Sequence, residues 1–456
     1  MSAGLAAARK GAGTRTAQGL LLVGFGALLF VVTRGVPEEH GALWTTTAVG
    51  FLLLAGTITS ELLEPLGLPH LTGYLLAGVL AGPYVLRLID EQTVKGLSPV
   101  NTLSLSLIAL SGGAELDLGD MRRGARSLSW AMLLQCVFVL VAATGAFYAV
   151  RPLLPFARAL APLAFLGVAL LWGALSVTRS PAATLAILTQ TRATGPLATF
   201  TLAFVMTSDL VVVVLLATAL GLARPLIDPA ASLSLDAFTT LGHELFGSVA
   251  LGTTLGVFIA VYLRLVDRQM LVVLLLLGFG ASTLLDYLRF DSLLTFMVAG
   301  FVVRNMSKQG KKLVAHIEQA GSVVYVVFFA TAGADLDLPL LRELWPVAVL
   351  MAMSRGFITW VAARISGRLA DDPPTLRTWS WTGLVSQAGL ALGLAVLVAR
   401  EFPAFGDAFR ALAIASIAVN EIVGPVLFKL ALDRAGETSR REAPSLSAIR
   451  PPPTPR

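Results

Sequence analysis

Apolar runs long enough to cross a lipid bilayer recur from about residue 18 to about residue 435, and no other feature constrains the fold as much. "APLAFLGVALLWGAL", Ala161 to Leu175, is typical. Inside hydrocarbon each backbone N–H and C=O must pair within its own segment, so every crossing run is expected to be a helix. With 56% hydrophobic and 14% charged residues and a mean hydropathy of +0.78, the chain has far more apolar sequence than a soluble core absorbs. Runs of about 17–25 residues centre near 25, 54, 79, 108, 139, 174, 209, 251, 278, 298, 326, 353, 388 and 419. The expected fold is therefore an all-α polytopic membrane protein of about fourteen transmembrane helices. The first run, near 18–33, follows Arg9, Lys10 and Arg15 as a signal peptide would. Its exit, "RGVPEEHG", has no small-x-small cleavage site, so it reads as a retained span.

Charge gives the orientation. With the N-terminus inside, the inward loops include "DMRRGARS", "RLVDRQ", "RNMSKQGKK" and "RISGRLADDPPTLR". That register places roughly two thirds of the 34 Lys and Arg on the cytoplasmic side, with both termini. The net charge of +6 thus reflects basic inner loops rather than nucleic-acid binding. The single cysteine, Cys136, and the scattered His40, His70, His243 and His316 offer no disulfide framework, metal cluster or cofactor site. GxxxxGK[ST], HExxH and GxSxG are absent, so nucleotide-driven pumping and hydrolase chemistry lack support and no enzyme is expected. Residues 435–456 are polar, basic and proline-rich, and read as a disordered cytoplasmic tail without a nucleotide-binding regulatory domain.

Ionisable residues inside spans are costly and hence informative. Asp209 lies in "AFVMTSDLVVVVLLATAL", Arg355 in "LMAMSRGFITWVA", Glu421 in "IASIAVNEIVGPVLF", and Arg179 in the interruption "TRSP". Pro181 removes a backbone donor and disfavours helical geometry at Ser180, so the span is expected to unwind over Thr178–Ser180. In "GLVSQAGLALG", Ser386, Gln387 and Gly389 mark a second break. Each break lies one span before a span with a central acid. On this count the breaks are about seven spans apart, and an odd offset inverts one half relative to the other. Broken helices in corresponding positions of inverted halves point to a transporter site near the bilayer midplane. The plainer reading is two structural ion pairs that hold a bundle together.

Four stretches carry a resemblance: "LGLPHLTGYLLAGVLAGP" (Leu66–Pro83), "LIALSGGAELDL" (Leu107–Leu118), "VVYVVFFATAGADLDL" (Val323–Leu338) and "NEIVGPVLFKLALDRAGE" (Asn420–Glu437). From about residue 50 to 436 the chain resembles the monovalent cation:proton antiporter superfamily, its Kef-like and bacterial sodium/proton exchanger branches above all. The resemblance implies an N-terminal segment with an extra helix (1–40) and an antiporter membrane domain (41–434). It also implies two crossing discontinuous helices, a mobile core, a panel that forms a homodimer, and residence in a bacterial inner or plasma membrane. Asp209 falls on the family's ion- and proton-carrying aspartate, and Arg355 on a basic position of its third-last helix. Two departures stand out: Ser208 replaces the usual Asn or Asp, and "TRSP" replaces "TDP".

These residues imply exchange of a monovalent cation, Na+ or K+, for protons. Burial and a neighbouring arginine act in opposite senses on a carboxyl's proton affinity, so a buried Asp209 can take up and release protons. Ser208, Thr207, Thr178 and unwound carbonyls would add oxygen ligands, although mid-helix hydroxyls more often bond back to their own turn. Arg179 has three open roles: neutralising the carbonyl-rich end of the break, pairing with Glu421, or competing with the cation for Asp209. Arg355 compensates charge from the other repeat, and Glu421 serves either structure or transport. A single carboxylate implies electroneutral exchange. Two alternatives remain at this point: a proton-coupled organic-anion transporter gripping its substrate with Arg179 and Arg355, and a transport-silent membrane sensor.

Overall fold

The computed structural model describes residues 41–438 except 67, 229–235, 267–268, 289, 308–309, 337 and 388, together with Gly24. The run at 18–33 therefore lies almost wholly outside the described residues, as does the tail beyond Thr438. Among the described residues every regular element is helical. In chain order these are α1 (Gly41–Leu63), α2 (His70–Ala81), α3 (Glu91–Gly96), α4 (Ser98–Glu115), α5 (Leu118–Arg123) and α6 (Ala125–Leu133). They continue with α7 (Val139–Ala149), α8 (Pro162–Val177), α9 (Pro181–Thr191), α10 (Pro196–Ile227), α11 (Asp236–Leu265) and α12 (Met270–Leu288). The last are α13 (Ser292–Met306), α14 (Gly310–Ala334), α15 (Leu338–Leu369), α16 (Pro374–Trp379), α17 (Gly389–Glu401) and α18 (Gly406–Ala435).

Among the described residues, length and composition alone qualify six helices as spans, or seven with α10. The latter bends by 44° between Pro196–Asp209 and Val214–Ile227. The expected centres from 54 to 419 all fall in helices, save 388, which lies outside the described residues. Prolines punctuate this pattern. Pro162, Pro181, Pro196 and Pro374 each open a helix, where the missing N–H costs nothing and the fixed φ is already helical.

Two helix pairs approach closely through reciprocal glycines. In the pair α2–α14, Gly78 faces the Ala330 carbonyl and Gly333 faces the Leu75 carbonyl. In the pair α13–α4, Gly300 faces the Leu110 carbonyl and Gly113 faces the Met297 carbonyl. A methyl group at any of the four would collide with backbone, so small residues let these helices touch. The second pair is the first with its halves exchanged, as an inverted repeat requires. The same relation shows in sequence between "SGGAELDL" (Ser111–Leu118) and "TAGADLDL" (Thr331–Leu338).

Between α6 and α7 the ladder slips into a π-helical turn, Leu134–Phe138, that buries Gln135 completely. Behind it, Phe147 of α7 stacks on Trp172 of α8 at 4.5 Å, and Phe409 of α18 meets that ring edge-on. This aromatic packing backs the two interrupted helices that form the site.

Candidate functional site

The first interruption lies between α8 and α9. Thr178 leaves the helix in extended geometry at φ −64° and ψ 151°, and Ser180 continues at φ −115° and ψ 99°. The Ser180 hydroxyl accepts from the Ala183 N–H at 3.2 Å and so caps α9, which Pro181 begins. The second interruption follows a 3-10 turn, Ser380–Leu384; Val385, Ser386 and Gln387 are non-helical, and Gly389 opens α17. Both breaks are buried, Thr178, Arg179, Ser180, Ser386 and Gln387 being at most 5% exposed. Helix α18 presses on the second one, for a side chain at Gly424 would collide with Ser386.

A broken helix leaves carbonyls with no partner at its C-terminal end, and hydrocarbon supplies none. Two guanidinium groups answer that need. Arg179 folds back on α8: its Nη1 donates to the carbonyls of Ser176 (3.0 Å), Val177 (2.7 Å) and Thr178 (2.9 Å). Its Nη2 donates to the Gln135 side-chain oxygen at 3.0 Å, and the Gln135 amide donates in turn to the Thr359 carbonyl at 2.9 Å. Arg355 bridges both breaks. It reaches the carbonyls of Ser176 (2.9 Å) and Thr178 (2.8 Å) in the first, and those of Val385 (2.6 Å) and Leu384 (3.3 Å) in the second. Positive charge at the negative ends of two helix dipoles is favourable twice over. The breaks also meet directly: the Gln387 amide donates to the Leu175 carbonyl and to Thr178 Oγ1, both at 2.9 Å. Its oxygen accepts from Asn420 of α18 at 2.8 Å.

The acids stand apart from this network. Asp209 on α10 is 5% exposed, and its Oδ1 has no hydrogen-bond partner among the described residues. Glu421 on α18 is 6% exposed with Oε1 likewise unpartnered. Among the described residues neither carboxylate lies within 4.0 Å of a basic nitrogen. Of the three roles open to Arg179, its guanidinium takes up the carbonyl-rich end of the break and pairs with neither acid. Thr207 and Ser208 donate to the Ala203 and Val205 carbonyls of their own turn at 2.7 and 2.8 Å. Thr178 Oγ1 donates to Leu175 and accepts from Gln387, so it too holds the break together. A cavity of about 410 Å³ reaches Leu202 and Ala203 of α10, close before Thr207. Glu115, Asp117 and Arg304 also line it. Gln135 and Asn420 escaped the sequence reading, although each is an amide inside an apolar run, a cost that calls for a partner.

A family model described as sodium/hydrogen exchanger, transmembrane, matches residues 49–433. The Na(+)/H(+) antiporter NhaP of Pseudomonas aeruginosa is 28% identical over 342 residues, covering 70% of this chain and 76% of its own. The sodium proton antiporter MjNhaP1 of Methanocaldococcus jannaschii at pH 8 superposes with a TM-score of 0.64 at 18% identity, covering 87% of this chain and 97% of that one. For the same antiporter, a structure from a three-dimensional electron-microscopy map gives 0.68 at 17% identity, covering 88% and 100%. At those identities the two solved structures speak for the fold.

Proposed function

Because the chain belongs to the sodium/hydrogen exchanger family, we propose that it exchanges Na+ or K+ for a proton by alternating access, with the Asp209 carboxylate as the shared site. It is an integral membrane cation/proton antiporter, and such proteins are transporters rather than enzymes. The finer reading rests chiefly on one observation: among the described residues the buried Asp209 has no basic nitrogen within 4.0 Å, while Arg179 and Arg355 are committed to carbonyls. A carboxylate in that position needs either a proton or a cation, and holding one excludes the other. The oxygens of Ser208 and Thr207 keep acceptor capacity after donating to their own turn, so they are the nearest candidates for completing a hard-cation shell. In this reading the cavity that ends at Ala203, six residues before Asp209, would be the approach from one side.

With Ser208 where a second acid would stand, one carboxylate trades one positive charge for another, and exchange is electroneutral. An anion substrate would need free guanidinium donors. Of the two arginines only the Arg179 Nε lacks a partner, which weighs for the cation. The same reading makes the protein a homodimer in a bacterial inner membrane with both termini in the cytoplasm, in line with its basic inward loops.

The test is proton flux in proteoliposomes driven by Na+, K+ or Li+, with wild type beside Asp209→Asn. Cation-dependent flux that falls to background in Asp209→Asn supports the shared site. Flux that survives the substitution removes Asp209 from that role, and a wild type without cation dependence removes the exchange reading.

A further inference from the structure

The end of α18 is tied to the foot of the helix that carries Asp209. Gly436 turns the chain through a left-handed conformation at φ 72°, and Glu437 then folds inward to 8% exposure. One oxygen of its carboxylate accepts from the Leu197 N–H and the other from the Ala198 N–H, both at 2.8 Å. Its backbone joins in: the Thr194 N–H donates to the Glu437 carbonyl at 2.9 Å, and the Glu437 N–H donates to Leu432 at 3.1 Å. On the other side, Gly195 precedes α10 at φ 156° with no side chain of its own, and a Cβ there would collide with the Glu437 carboxylate.

The first turn of α10 therefore lacks a local cap and takes one from the far end of the chain. Pro196 has no N–H to satisfy, so Leu197 and Ala198 are the first donors that need an acceptor. A bidentate carboxylate there meets both, and its charge opposes the positive end of the helix dipole. We infer that Glu437 is a positioning residue: it caps the Asp209 helix and fixes it to α18, so that the acid and the two breaks move as one body. The lever is short, Asp209 lying twelve residues or about 18 Å above Leu197. α18 is tied in turn to the second break by the Asn420–Gln387 bond. This inference rests on the proposed exchange for its transport consequence, not for the cap itself.

Wild type, Glu437→Gln, Glu437→Ala and the neighbouring control Thr438→Ala are compared as full chains. Cation-driven proton flux is read as turnover per folded protein and as apparent cation affinity. Hydrogen exchange is followed over residues 193–203. In Glu437→Ala, turnover is expected to fall on the order of tenfold with apparent affinity held within about twofold, while exchange rises in the first turn of α10. Glu437→Gln keeps one acceptor oxygen and falls between, and Thr438→Ala matches wild type. Unchanged exchange in both Glu437 variants overturns the cap. Faster exchange with unchanged turnover overturns the positioning role. If wild type shows no flux, the exchange reading has failed, and the hydrogen-exchange comparison still decides whether Glu437 holds the helix.

Discussion

The two interrupted helices cross at one point but solve the same electrostatic problem differently. The first break contains its own cation: Arg179 lies between the half-helices and folds back onto three carbonyls of the turn before it. The second contains no charge, and Leu384 and Val385 depend on Arg355 from α15. Arg355 also serves Ser176 and Thr178, so the first break is neutralised twice and the second once. One half is nearly self-sufficient, and the other exists by virtue of a long-range contact.

That asymmetry sets the largest expected effect. Arg355→Met removes donors from four carbonyls on two helices, and should cost about 3–5 kcal/mol, or prevent accumulation of folded protein. Arg179→Met leaves Arg355 on two of the three carbonyls it served, and should cost about 2–3 kcal/mol. Thermal unfolding in detergent or nanodiscs ranks the two. Equal losses, or a larger one at Arg179, break the picture of a doubly neutralised first break.

The next effect probes the link between the halves. Gln387→Leu deletes both donors into the first break and should cost about 2 kcal/mol, whereas Asn420→Leu removes one bond to Gln387 and should cost about 1 kcal/mol. Since they share a bond, the double variant should fall short of the sum by at least about 0.5 kcal/mol. Strict additivity would separate α18 from the crossing.

Much of this was legible in the sequence because membrane burial taxes polar groups heavily, so each charge in an apolar run marks a place where backbone or ion needs it. Asp209, Arg179, Arg355 and the two breaks announce themselves that way. What the sequence hid was direction. Nothing in "TRSP" says whether the guanidinium turns forward to an acid or back to its own carbonyls; that depends on Gln135, presented by a π-helical turn 44 residues earlier. Spacing was equally silent on Glu437, whose role appears only once α18 has brought it to a helix beginning some 240 residues before it. The repeat was visible in "SGGAELDL" and "TAGADLDL", but only an alignment of the chain against itself exposes it.

The smallest expected effect returns to the two breaks and their serines. Ser180 caps α9 through the Ala183 N–H, one of the few partners that donor can find inside a bilayer. Ser386, by contrast, has no hydrogen-bond partner for its hydroxyl among the described residues, and is held by its contact with Gly424. Ser180→Ala should therefore cost about 1 kcal/mol, and Ser386→Ala no more than about 0.5 kcal/mol. The same unfolding measurement separates them if the pair is compared in one background. A reversed order would mean that the second break uses its serine for something beyond holding shape, and would move Ser386 to the front of the search for oxygen ligands near the transported ion.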